Sequence, residues 1–155
     1  MTPDKQSAVI LIAEDDEDDY LLITDTLKEY RIANSIHWVR DGEELMDYLL
    51  RHGHYSDPTL SPRPTLILLD LNMPKKDGRE ALREIKSTPR LRTIPVVVLT
   101  TSQSEEDVLR SYDLGVNSYV RKPMRFHDFV EEVRAIGRYW FEIVELPPTK
   151  EGPRA

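Results

Sequence analysis

The chain has 155 residues, 39% apolar and 32% charged, with 21 Lys and Arg against 28 Asp and Glu for a net charge of −7. That is enough chain for one domain with a real core, and the acidic balance argues against a nucleic-acid binder that works by neutralising phosphates. With no cysteine, disulfides, thiolate metal sites and thiol nucleophiles are excluded. The polar start lacks a signal-peptide core, and no apolar run is long enough to span a bilayer. A cytoplasmic protein that does not engage the membrane is expected.

In chain order, Val9 to Ala13 reads as a buried strand, followed by a helical pattern from Asp16 to Tyr30. Ile36 to Val39 is a shorter strand suited to a sheet edge. Asp41-Gly42-Glu43-Glu44 opens a second helix carrying Leu45, Tyr48 and Leu49. Residues 51–64, with Gly53 and three prolines, read as a loop. Thr65 to Leu69 is a third strand, and Asp77-Gly78-Arg79-Glu80 is close to a helix capping box. Pro95 to Leu99 is a fourth strand. Ser104 to Asp107 opens a fourth helix, which Gly115 would stop. Ser118 to Val120 is a brief fifth strand. A last helix runs from about Phe126 into the 140s, with an apolar stripe that includes Phe129, Val133, Ile136, Trp140, Phe141 and Val144.

Continuous apolar runs mark strands buried on both faces, as in parallel sheets. Five strands alternating with five helices predict an α/β, (βα)5 doubly wound parallel sheet. One domain over 8–146 is expected, with 147–155 as a flexible tail.

The chemistry-bearing residues fall at strand ends, where such a sheet gathers its ligands. The first strand stops at Glu14-Asp15-Asp16, the third at Asp70, the fourth at Thr100 and the fifth at Lys122. Carboxylates this close are costly unless a cation sits among them. Hard oxygen ligands in small number suit Mg²⁺. A carboxylate can be a covalent nucleophile toward phosphorus. Mg²⁺, the Thr100 hydroxyl and the Lys122 ammonium could each hold one phosphoryl oxygen.

These strand ends, together with Asp70-Leu71-Asn72-Met73-Pro74, Leu99-Thr100-Thr101 and Tyr119-Val120-Arg121-Lys122-Pro123, resemble the receiver domain of two-component response regulators. The spacings of 30 positions from Asp70 to Thr100 and 22 from Thr100 to Lys122 match in order and length. The resemblance implies the flavodoxin-like strand order 2-1-3-4-5. It implies Asp70 as phosphoacceptor for a histidine kinase. It also implies Asp15 as a Mg²⁺ ligand, Glu14 acting through water, and a third ligand from the Asn72 carbonyl. Thr100 and Lys122 would bind the phosphoryl group, and Tyr119 would be the aromatic that changes rotamer with Thr100. Asn72 and Ser102 occupy positions that tune self-dephosphorylation, and the Lys122–Pro123 bond is often cis in relatives. The 51–64 loop, the run after Pro74 and the ending from Trp140 are similar to response regulators paired with cyanobacterial and bacterial phytochrome kinases. A bacteriophytochrome is thus a candidate partner.

Alternatives fare worse. Asp70-x-Asn72 resembles the start of a calcium loop, but Pro74 and Lys75 fall where that loop needs a ligand and a glycine. Phosphatases of the haloacid-dehalogenase type need a second aspartate where Asn72 stands. His52 and His54 form an isolated pair in a loop. A receiver-like chain that binds partners without phosphorylation is disfavoured because every expected group is present. The expectation is a single-domain switch, not an enzyme, with weak self-phosphorylation and self-dephosphorylation. The surplus apolar residues Trp140, Phe141 and Val144 predict a homodimer through the last helix.

Overall fold

A computed structural model of the chain describes residues 8–29, 35–101 and 118–140. Five strands form one parallel sheet: β1 (Val9–Ala13), β2 (Ser35–Val39), β3 (Leu66–Asp70), β4 (Val96–Thr100) and β5 (Ser118–Arg121), in the order β2-β1-β3-β4-β5. The three inner strands are buried along their whole length, whereas β2 and β5 are partly exposed. That is why the inner three read as unbroken apolar runs and the outer two do not.

The period-two alternation of a strand splits the core into two layers. Leu11, Ala13, Ile67, Leu69, Val96 and Val98 point to one face. There they meet Leu45, Met46 and Leu49 of α2 (Gly42–Leu50) and Ala81, Leu82 and Ile85 of α3 (Gly78–Ser87). Ile10, Ile12, Leu66, Leu68, Val97 and Leu99 point to the other. They meet Leu22, Ile23 and Leu27 of α1 (Glu17–Leu27) and Phe129, Val133 and Ile136 of α4 (Phe126–Arg138). Among the described residues, two helices cover each face of the sheet, as in a doubly wound architecture.

Aspartates set the starts of three helices. Asp16 accepts from the Asp18 and Asp19 amides, Asp41 from that of Glu44, and Asp77 from those of Arg79 and Glu80. Asp16 is therefore a cap outside α1 rather than its first residue.

Several expectations need adjustment. The helix expected at Ser104 and the end of the first at Tyr30 lie outside the described residues. The last helix is α-helical over Phe126–Arg138 and stays helical through Trp140, where the described residues end, and Trp140 is 5% exposed within the same core layer as Phe129 and Ile136. Trp140 thus packs inside the chain; Phe141 and Val144 lie outside the described residues. The Lys122–Pro123 bond is trans. Residues 51–64 are not featureless: a 3₁₀ turn spans Gly53–Tyr55. The loop is fastened by the Tyr48 hydroxyl donating to the Pro62 carbonyl at 2.7 Å and by the Tyr55 hydroxyl donating to Glu44 at 2.6 Å. Turns this short carry no periodic signal in sequence.

Candidate functional site

Because all strands run the same way, Glu14, Asp70, Thr100 and Lys122 arrive at one rim. Glu14 is fully buried directly after β1, its amide donating to the Val39 carbonyl at 3.0 Å. Asp70 is the last residue of β3 and 4% exposed. Thr100 closes β4 and is buried. The Lys122 amide donates to the Thr100 carbonyl at 2.7 Å, which ties the ends of β4 and β5 together.

The Lys122 ammonium carries the site. It donates to Glu14 Oε1 at 2.6 Å, Asp19 Oδ2 at 3.0 Å and Asp70 Oδ2 at 3.0 Å. The other Asp70 oxygen accepts from the Asn72 amide at 3.0 Å, while the Asn72 side chain is exposed. Among the described residues, Glu14, Asp15 and Asp70 can each bring one carboxylate oxygen within 4.8 Å of the others. Tyr119 on β5 is half-buried against the α2–α3 layer.

One ammonium cannot neutralise this set. Burial pushes the Glu14 carboxyl up to about 8, helped by the hydrogen bond and charge of Asp70 and opposed by Lys122. Burial alone would lower the Lys122 ammonium, but the Asp70 and Glu14 carboxylates outweigh it and hold it above the ordinary lysine value. The site thus retains a proton on Glu14 at neutral pH until another cation replaces it. All-oxygen ligands around a deficit of positive charge fit a hard divalent ion.

Neighbouring backbone is packed hard against the site. A Cβ on Gly78 would lie 2.5 Å from the Asp70 carbonyl oxygen, so only glycine lets α3 start this close to the end of β3. A Cβ on Gly42 would run into the Lys76 carbonyl oxygen, so the loop after Asp70 is clamped to α2. In that loop Lys75 takes a left-handed φ of 62° and its ammonium sits 3.7 Å from Asp41.

The structure brings together Glu14, Asp15, Asp70, Thr100 and Lys122 as the sequence predicts. Two residues were missed. By its position in the sequence Asp19 is one more acid at a helix start; its place three residues after the Asp16 cap, on the turn facing the rim, is the available signal. Trp38 on the edge strand donates its indole N–H to the Glu14 carbonyl at 2.7 Å. It stacks on Tyr20 with centroids 4.0 Å apart, and the Arg40 guanidinium lies 4.4 Å from the indole centroid.

The fold and this rim define a doubly wound α/β protein with a carboxylate site for a divalent cation, served by one buried lysine. The chain belongs to the response regulator receiver domain family, whose model matches residues 10–134. Response regulator Rcp1 of Synechocystis sp. is 49% identical over 139 residues, covering 90% of this chain and 92% of that protein. The phosphorylated cyanobacterial phytochrome response regulator RcpA superposes with a TM-score of 0.83 at 45% identity, over 91% of this chain and 99% of the other. The Mn²⁺-bound form of Rcp1 gives 0.83 at 48% identity, over 90% and 99%. The function is that of a two-component response regulator, the partner class is a histidine kinase, and receiver domains of this family bind a divalent metal. Among the described residues, no helix is long and apolar enough to cross a membrane.

Proposed function

We propose that Asp70 accepts a phosphoryl group from the phosphohistidine of a kinase, with Mg²⁺ as the resident ion, and that the kinase is a phytochrome. The observation that carries the first part is the buried Asp70 carboxylate with the Lys122 ammonium 3.0 Å away and Glu14 and Asp15 beside it. The phytochrome assignment is supported by the likeness to RcpA and Rcp1.

In the transfer, an Asp70 oxygen forms a bond to phosphorus as the phosphorus–nitrogen bond to the kinase imidazole breaks. The leaving nitrogen keeps the electron pair. The Lys122 ammonium and the Thr100 hydroxyl hold phosphoryl oxygens and spread the developing charge. Asp15, Asp70, the Asn72 carbonyl and, through water, Glu14 would hold Mg²⁺, which would supply charge neutralisation. The movement of Thr100 toward the phosphoryl group would be read by Tyr119, shifting the population of the switch. Weak self-phosphorylation from small donors and slow self-dephosphorylation, tuned at Asn72 and Ser102, belong to the same reading. A homodimer is proposed on the apolar Phe141 and Val144 in the sequence beyond α4; light scattering that shows monomer alone at micromolar concentration would remove it.

The test is intact-mass analysis after incubation with Mg²⁺ and a small acyl phosphate. One added phosphoryl group, lost in Asp70→Asn and in chelator, is expected. No addition from either a small donor or a cognate kinase would leave a partner-binding domain that works unphosphorylated.

A further inference from the structure

We propose that Asp19 is a positioning residue that keeps the Lys122 ammonium at Asp70 while Glu14 is drawn into the cation site. The inference rests on the phosphoacceptor reading of Asp70. An ammonium has three N–H donors, and Lys122 directs them at Glu14, Asp19 and Asp70, at 2.6, 3.0 and 3.0 Å. Two of those acceptors have other work. Glu14 and Asp70, with Asp15, form the group that can converge on one ion. Asp70 also changes its charge and shape when an oxygen of its carboxylate becomes bonded to phosphorus. Asp19 is outside that group and has no such alternative.

Asp19 is also built to stay in place. It sits in the first turn of α1, where its amide donates to the Asp16 cap at 3.2 Å, and its side chain is 30% exposed, against 8% for Lys122. An acid at the third helical position commonly turns back to its own cap; this one reaches across to β5 instead. The favourable placement of an acid at a helix start accounts for a carboxylate in this turn. It does not account for one aimed at a buried ammonium just past the end of β5, 103 positions away. As Glu14 and Asp70 are taken up in turn, Asp19 remains the fixed acceptor that holds the ammonium over the reacting oxygen.

The experiment compares the full chain with Asp19→Asn, Asp19→Glu and Asp18→Asn, the last removing an exposed acid from the same turn. Labelling of Asp70 by acyl phosphate is followed by intact mass across donor concentrations at saturating Mg²⁺, and Mg²⁺ affinity is measured separately by calorimetry. Loss of a hydrogen bond to a charged group predicts a fall of about tenfold in the maximal labelling rate of Asp19→Asn. The half-saturating donor concentration and the Mg²⁺ affinity should each change by less than about twofold, because no group that holds the ion is removed. Asp19→Glu should restore most of the rate, and Asp18→Asn should leave it unchanged. Equal effects of Asp18→Asn and Asp19→Asn would reduce Asp19 to a helix-start acid. An unchanged or faster rate in Asp19→Asn, or a loss traced wholly to Mg²⁺ affinity, would also overturn the inference while leaving Asp70 as phosphoacceptor. A wild-type chain that never labels at Asp70 would remove both.

Discussion

Replacing Asp70 with asparagine keeps the shape of the side chain and deletes one charge from the rim, and its effect on the metal-free protein should change with pH. Two contacts matter. The Asp70–Lys122 attraction at 3.0 Å is lost, about 5 kcal/mol at an effective dielectric of about 20. The repulsion between Asp70 and Glu14 is relieved; their oxygens lie within 4.8 Å, where two like charges repel by about 3 kcal/mol on the same scale. The repulsion exists only when Glu14 is ionised. Folding raises the Glu14 carboxyl from 4.5 to about 8, so the native state binds the extra proton. The stability this contributes is fully present below pH 4.5 and is lost as pH rises through about 8. Asp70→Asn removes part of the cause of that rise, so its stability should fall less steeply over the same window. In chelator the variant should be several kcal/mol less stable than wild type at pH 6, and the gap should narrow by about 3 kcal/mol by pH 9. Urea unfolding followed by far-ultraviolet circular dichroism at both pH values reads this directly. A gap of constant size across that range would refute the picture of the Asp70 charge helping to hold a proton on Glu14.

Two further outcomes are expected. Uptake of Mg²⁺ near pH 7 should release up to one proton, because Glu14 must ionise to serve the ion; calorimetry in two buffers of different ionisation enthalpy measures it, and the release should vanish well above pH 8. Gly78→Ala should cost about 1–3 kcal/mol in thermal unfolding, since the added methyl meets the Asp70 carbonyl oxygen at 2.5 Å and the Leu71 Cα at 2.6 Å.

What the sequence made legible follows from the sheet. In a parallel sheet buried on both faces, each strand reads as an apolar run, and its first polar residue marks the rim. Glu14, Asp70 and Thr100 could therefore be placed without coordinates, Lys122 followed from the Tyr119-Val120-Arg121-Lys122-Pro123 motif rather than from an apolar run, and Ile36 to Val39 could be assigned to an edge. The lateral contacts were another matter. Asp19 meets Lys122 only because α1 starts where β5 ends, and Trp38 meets Glu14 only because β2 pairs with β1 in a particular register. Neither distance is encoded in local spacing. Trp140 shows a different limit. An apolar residue at the end of an amphipathic helix suits a second copy or the chain's own sheet equally well by pattern, and only packing against Phe129 and Ile136 decides for the sheet.

The chain has two tryptophans, and the fold gives them opposite surroundings. Trp140 is sealed in the α1–α4 layer, whereas the Trp38 indole is bonded to the backbone of Glu14 and lies between a tyrosine ring and a guanidinium. A change in the charge or bonding of Glu14 is thus expected to reach the Trp38 indole more strongly than that of Trp140. The protein carries its own optical reporter, with an internal reference, and steady-state emission can follow occupancy of the rim in real time without a dye or a label.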